Sequence, residues 1–323
     1  MTTPPSVPSP ADVPTTEVVK PFRILSLDGG GSKGMFTIGA LTEVEAILKS
    51  PLSNHFDLIY GTSTGAIIAA LIALGKSMAE VDALYKELIP KIMGKWFKWG
   101  KTKALKALLQ EYFGDKKFDA FVLPIGIVAT RCDKQRPMIF KSRVTQALTR
   151  QATFAPGFGC TIVEALLSSS AAYPYFKKSE VKPSNEGGGT VETIDGGFVA
   201  NNPSLYALID AKKSFAIEES RIRILSVGVG EYHPKKPGWI MWLLNFLTIK
   251  SVMETALTGN VNSLEIIFNQ LHPNVHCVRL NRPCKVAADL LEKNPAILQR
   301  LFLEGRETLG IDDNEAKVRK FFA

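Results

Sequence analysis

Three short segments of this 323-residue chain pair a chemically active side chain with glycines that let another molecule come close. They are Asp-Gly-Gly-Gly-Ser-Lys-Gly at 28–34, Gly-Thr-Ser-Thr-Gly at 61–65 and Asp-Gly-Gly at 195–197. In the second, Ser63 stands between Gly61 and Gly65. If the segment joins a strand to a helix, the sharp turn forces the serine into strained dihedrals and the glycines relieve the crowding. The hydroxyl then projects at the N-terminus of the helix, where the helix dipole favours developing negative charge. That is a nucleophile for a carbonyl carbon. A helix start capped by Ser or Thr would use the same residue types.

In the first segment, Gly29, Gly30 and Gly31 can turn successive backbone N–H groups into one concavity, which suits an oxyanion hole. One such donor is worth about 3 kcal/mol of barrier. Lys33 and Gly34 complete the loop. Gly29, Gly31 and Gly34 also match the GxGxxG of a dinucleotide-binding turn, but no acidic residue ends a second strand roughly 20 residues on. A Walker A loop is excluded because no Gly-Lys-Ser/Thr follows the glycines. The third segment places Asp195 at the end of a short apolar run, with Gly196 beside it, where a carboxylate can approach a ligand or form a structural Asx turn.

The pattern of apolar residues supplies the elements that must hold these segments. An apolar run at 22–27 leads through the glycine cluster into a helical period at 35–48, and a second run at 56–60 leads through the serine turn into a helix that Gly75 stops near Leu74. Further strands are expected at 121–129, 137–140, 191–194, 222–229 and 275–280, with helical patterns between most of them. A long helical insertion occupies 78–113, and the chain is mostly helical after Lys236. Loops are expected at 182–190 and 231–238. The fold class is therefore α/β, a mainly parallel central sheet with helices on both faces, carrying a helical C-terminal part, with ligands at the carboxyl ends of the strands.

Nearly half of the chain is apolar, enough for a substantial core. A net charge of +8 suits an anionic partner. Cys132, Cys160, Cys277 and Cys284 show neither metal-site spacing nor the density of a disulfide scaffold, which points to a reducing, cytoplasmic setting. Residues 1–20 read as a Pro-rich disordered leader without the features of a secretory signal. The longest apolar stretch, 239–247, is about half of the roughly 20 residues a membrane-crossing helix needs.

Taken in order, the DGGGSKG loop, the GTSTG turn and the DGG triplet resemble the signature of the patatin-like phospholipases. Ser-Ser-Ser-Ala-Ala-Tyr-Pro at 168–174 is similar to another family segment, and the likeness covers roughly residues 22–210. The resemblance implies a three-layer α/β/α catalytic domain, taken over 21–323 with its motif-bearing part at 22–210, whereas the helix-rich part at 236–323 is read from its pattern and carries no family motif. It implies a lipid acyl hydrolase in which Ser63 and Asp195 form a dyad without cofactor or metal, and Gly29, Gly30 and Gly31 supply the oxyanion hole. Gly34, Gly61, Gly65 and Gly196 support these loops. Lys33 departs from the arginine usual in the family, which keeps the charge but loses a bidentate contact.

The implied substrates are phospholipids or other acyl lipids, met by peripheral contact with a membrane, and no nucleic-acid polymer is expected as a partner. Some bacterial members of similar compact size are lipid-degrading effectors switched on by cyclic nucleotides in antiphage defence, so a cyclic-nucleotide activator enters as an expectation of the resemblance. No segment reads as its site. Two other readings stay open. The order Ser63, Asp195, His233 is that of an α/β-hydrolase triad, with His55, His272 and His276 as surface or core residues, and the glycine loop alone could serve a non-catalytic binding module.

Two amphipathic stretches are candidates for the membrane contact. Trp96, Phe97 and Trp99 alternate with Lys95, Lys98, Lys101 and Lys103, and Leu105, Leu108, Leu109 and Tyr112 follow at helical spacing. Trp239, Ile240, Trp242, Leu243 and Phe246, preceded by Lys235 and Lys236, form the second and could act as a lid. Either stripe could instead pack on the core.

Overall fold

Successive apolar residues in the first strand, β1 (Phe22–Leu27), require cover on both faces of the sheet, because side chains alternate across a strand. The computed structural model describes residues 20–148, 154–184, 188–232 and 246–323, with residues 246–256 as backbone only. In it Ile24 joins one core cluster with Leu58, Tyr60, Ile222 and Ile224, while Leu25 and Leu27 join another with Ile59 and Ile127 on the opposite face. The described residues hold eight strands in one sheet. Beside β1 these are β2 (Leu58–Thr62), β3 (Ile125–Arg131), β4 (Arg136–Lys141), β5 (Ser179–Val181), β6 (Val191–Asp195), β7 (Ile222–Val227) and β8 (His276–Leu280).

The pairings β3-β2-β1-β7-β8 are all parallel, as the α/β pattern predicts. Antiparallel pairing is confined to β3 with β4, β3 with β6, and β5 with β6. β4 runs along β3 from Gly126 to Arg131, so β2 and β6 must share the other edge of β3. They approach along it from opposite directions, Thr62 ending opposite Val128 and Asp195 opposite Ala129. The turn after β2 and the carboxylate at the end of β6 are thereby brought to neighbouring positions.

On the face of Leu25 lie α1 (Gly34–Leu48), α2 (Thr64–Ala73), α3 (Met78–Met93), α4 (Lys98–Phe113) and α5 (Ile162–Ser169). The other face is covered by α6 (Gly197–Ala200), α7 (Ser204–Lys213) and α8 (Phe246–Leu271), while α9 (Pro295–Glu307) and α10 (Asn314–Phe322) return to the first. α1 and α9 cross at glycines. A Cβ on Gly39 would lie 2.0 Å from the Phe302 carbonyl oxygen, and one on Gly305 equally close to that of Phe36. The C-terminal helices are thus packed against the helix that follows the glycine loop.

The structure alters several expectations. The insertion at 78–113 is two helices, since α3 stops at Met93 before Gly94 and α4 starts only at Lys98. β3 begins at Ile125 rather than 121, because Phe118–Ala120 is a short turn of helix and Pro124 lacks a ladder donor. The stripe Leu105, Leu108 and Leu109 is buried with Phe113 in the core and is not a membrane face, although Tyr112 beside it is partly exposed. The leader, apart from Lys20, and the second amphipathic patch up to Leu243 lie outside the described residues, and of Phe246 only the backbone is described, as the start of α8. Among the described residues no helix is long and apolar enough to cross a membrane.

Candidate active site

β2 carries the chain directly into the turn, and Ser63 sits there at φ 53° and ψ −121°, a strained conformation for a residue with a side chain. The turn is possible because its glycines leave no room for a Cβ. On Gly65 it would meet the Leu27 carbonyl oxygen at 2.4 Å, and on Gly61 the Gly65 carbonyl oxygen at the same distance. α2 therefore starts against the end of β1, next to the glycine loop. A Cβ on Gly34 would lie 2.6 Å from the Thr64 hydroxyl, so the two turns pack on each other.

The Ser63 hydroxyl donates to Oδ2 of Asp195 at 2.6 Å. The other carboxylate oxygen, Oδ1, accepts from the Gly197 amide at 2.7 Å. Asp195 is buried, and loss of water around the charged form pushes its carboxyl up to about 6, against the downward pull of the Ser63 hydroxyl and the Gly197 amide. Gly196 lets β6 turn this close to β3, since a Cβ there would lie 2.1 Å from the Val128 carbonyl oxygen.

In the glycine loop, the Gly29 amide donates to the Asn201 carbonyl at 3.0 Å, and the Ser32 amide to the Leu290 carbonyl at 2.9 Å. Gly29 is thus removed from the expected set of oxyanion donors. Among the described residues the amides of Gly30 and Gly31 have no backbone acceptor, and both residues line the same cavity as Ser63 and Asp195. Gly31 has φ +57°, and Gly30 bears on Val229. Lys33 lines this cavity as well, its ammonium 4.7 Å from the Tyr232 ring centroid.

The cavity encloses about 1020 Å3. One wall is apolar, formed by Ile67, Leu88, Ile89, Ile92, Leu105 and Phe176, which gives a hydrocarbon chain a route to Ser63. The C-terminal part also lines the cavity, with Asn262, Arg279, Asn281 and Asp289. Arg279 grips Asp28, the first residue of the glycine loop, with a bidentate pair at 3.0 and 2.6 Å and also donates to Ser226. Burial pushes the Asp28 carboxyl up and the guanidinium opposes it. Nothing in the sequence around Arg279 or Asn201 signals these contacts, because each depends on strand order.

His233 lies outside the described residues. Among those described, no histidine lines the cavity, and His55 and His272 bond to Ser50 and Glu219 elsewhere. No cluster of metal-ligating side chains is found among the described residues. Trp96, Phe97 and Trp99 are 88%, 71% and 65% exposed, which places the aromatics of the α3–α4 connection and the first turn of α4 outside the core. Lys177 lies 3.3 Å from the Trp99 ring centroid.

Residues 25–208 match the family model described as patatin-like phospholipase. A cUMP-AMP-activated phospholipase of Escherichia coli is 43% identical over 303 residues, covering 93% of each chain. A cGAMP-activated phospholipase of Escherichia coli strain TW11681 is 31% identical over 345 residues, covering 93% of this chain and 92% of that relative. Among solved structures, human GIVD cytosolic phospholipase A2 aligns at a TM-score of 0.48 and 9% identity, over 94% of this chain and 63% of that one.

Proposed function

This chain belongs to the patatin-like phospholipase family of serine acyl hydrolases, and from that premise we propose that Ser63 and Asp195 are its catalytic dyad and that a cyclic nucleotide controls it. The observation that carries the dyad is the 2.6 Å hydrogen bond from the Ser63 hydroxyl to Asp195 inside a largely apolar cavity. Asp195 accepts the serine proton as Oγ attacks the ester carbonyl. The amides of Gly30 and Gly31 receive the developing oxyanion, and the Asp195 carboxylic acid returns its proton to the leaving alcohol. Water activated by the same carboxylate then releases the fatty acid from the acyl-enzyme.

An aspartate at its ordinary pKa is a poor base for an alcohol. Burial brings Asp195 nearer to neutrality and so raises its basicity while leaving it ionised at pH 7 and above. A triad with His233 is less well supported, since Asp195 already bonds directly to the serine, where a triad would interpose an imidazole.

Control by a cyclic nucleotide rests on likeness alone, to relatives that are 43% and 31% identical over nearly the whole chain. The test uses purified protein and phospholipid vesicles with cyclic di- and trinucleotides in turn. Hydrolysis is expected to be low without nucleotide and to rise with one that pairs uridine and adenosine. Equal rates with and without every nucleotide would remove the regulatory reading while leaving the dyad untouched.

The membrane reading rests on the exposed Trp96, Phe97 and Trp99 and their lysines, which follow α3, a helix that itself lines the cavity. The protein would work in the cytoplasm and dock peripherally on anionic bilayers. Replacing the three aromatics by alanine is expected to cut binding to anionic liposomes and hydrolysis of vesicle lipid by about tenfold or more, because each ring buries apolar area in the interface. Hydrolysis of a soluble short-chain ester should stay near its original rate. Equal losses on both substrates, or a melting temperature lowered by several degrees, would count against a membrane face.

A further inference from the structure

Ser169 is fully buried at the end of α5, in a segment that the motifs leave without a role. Its hydroxyl accepts from the Ser63 amide at 2.9 Å and donates to the Val128 carbonyl at 2.6 Å. The register of the sheet gives this bridge its meaning. In the parallel β2–β3 ladder the Ile59 amide donates to the Pro124 carbonyl, and bonds of this sense recur every second residue. The rung that would follow at the end of β2 is therefore Ser63 N–H to Val128 C=O. The Ser169 hydroxyl occupies it.

We propose that Ser169 is a positioning residue for the nucleophile, its hydroxyl wedged into the last rung of the β2–β3 ladder so that Ser63 is held out toward Asp195. Two hydrogen bonds in series keep the Ser63 amide farther from Val128 than one ladder bond of about 2.9 Å would. The same segment fixes the carboxylate, because the Ser169 carbonyl accepts from the Gly196 amide at 3.2 Å and the Ala171 carbonyl from the Asp195 amide at 3.1 Å. Nucleophile and base thus take their spacing from one buried turn of chain. A hydroxyl suits the position because it can accept and donate at once, and alanine can do neither.

In Ser169→Ala the Ser63 amide and the Val128 carbonyl are either left unpaired or closed on each other, which draws Ser63 back from Asp195. The inference rests on the Ser63–Asp195 reading, so the experiment includes Ser63→Ala. Each protein is assayed on a soluble short-chain ester, with active sites counted by a stoichiometric phosphonate in the parent and the Ser169 variants and by protein concentration in Ser63→Ala, which has no serine to label. For Ser169→Ala, kcat per counted site is expected to fall about 10- to 100-fold, with KM held within about twofold, as for a misplaced reacting group. A merely structural role would lower the number of active sites or the melting temperature and leave kcat per site unchanged, and that result overturns the inference. If the alanine variant does not fold, Ser169→Cys, with its weak S–H donor, is read by the same two criteria. Activity remaining in Ser63→Ala would instead overturn the dyad reading itself.

Discussion

Ser63→Ala is expected to lower ester hydrolysis by roughly four orders of magnitude or more, and Asp195→Asn by nearly as much. The double variant should be scarcely slower than either single one, because in the proposed dyad the hydroxyl and the carboxylate act on one proton and losing either stops its transfer. His233→Ala is expected to stay within a small factor of the parent, and a loss of several orders of magnitude there would replace the dyad by a triad. The pH profile follows from the buried carboxyl. Only the ionised form can accept the proton, so kcat/KM should fall about tenfold per pH unit below about 6 and level off above it.

Stability moves in the opposite direction. The folded-state value of about 6 lies above the ordinary 3.8, so the neutral carboxyl favours the fold. Its contribution is complete below about pH 4, is lost as pH rises through 6, and amounts to about 3 kcal/mol. Asp195→Asn should therefore be at least as stable as the parent at pH 8 while being inactive, which denaturant titration can check. A destabilised Asn variant would mean that the carboxylate holds the fold together.

Gly31→Ala is expected to slow acylation by about 100- to 1000-fold, the range seen when one oxyanion donor is removed. Two causes act together. The residue has φ +57°, and a Cβ there would meet the Leu290 carbonyl oxygen at 2.4 Å, a backbone atom that cannot simply swing aside. Gly30→Ala should be milder, because its Cβ would press on the Val229 side chain at 2.7 Å and that side chain has some freedom to move. Burst kinetics on a chromogenic ester separates acylation from deacylation. Normal bursts in both variants, with both folded, would remove the glycine loop from the reaction.

How far these features can be read from sequence depends on how local their causes are. β1 is found at 22–27 as expected, because an apolar run bounded by charge and glycine is a local signal. The second strand was expected at 56–60 but runs Leu58–Thr62. Phe56 packs on Phe321 and Phe322 instead of joining the sheet, and the Gly-Thr that extends the strand carries no apolar mark. β5 has no local signal, because three residues beside Lys177 and Lys178 show no period. The serine, the aspartate and the glycine loop are visible as motifs because their backbones need glycine. The supports at Ser169, Asn201 and Arg279 are ordinary residues whose contacts are 106, 172 and 251 positions away.

That last separation has a consequence in time. Asp28 leaves the ribosome 251 residues ahead of the arginine that clamps it, a delay of about 12–50 s at 5–20 residues per second. Over that interval the nascent chain gains Ser63, then Asp195 and then β7, yet no β8 stands beyond β7 and the loop carboxylate has no guanidinium. The α9 backbone that seats against Gly39 does not exist yet either. A chain built in this order completes its cleft only with the final quarter of synthesis, and a fragment that stops short of Arg279 carries the motifs without the clamp on the glycine loop.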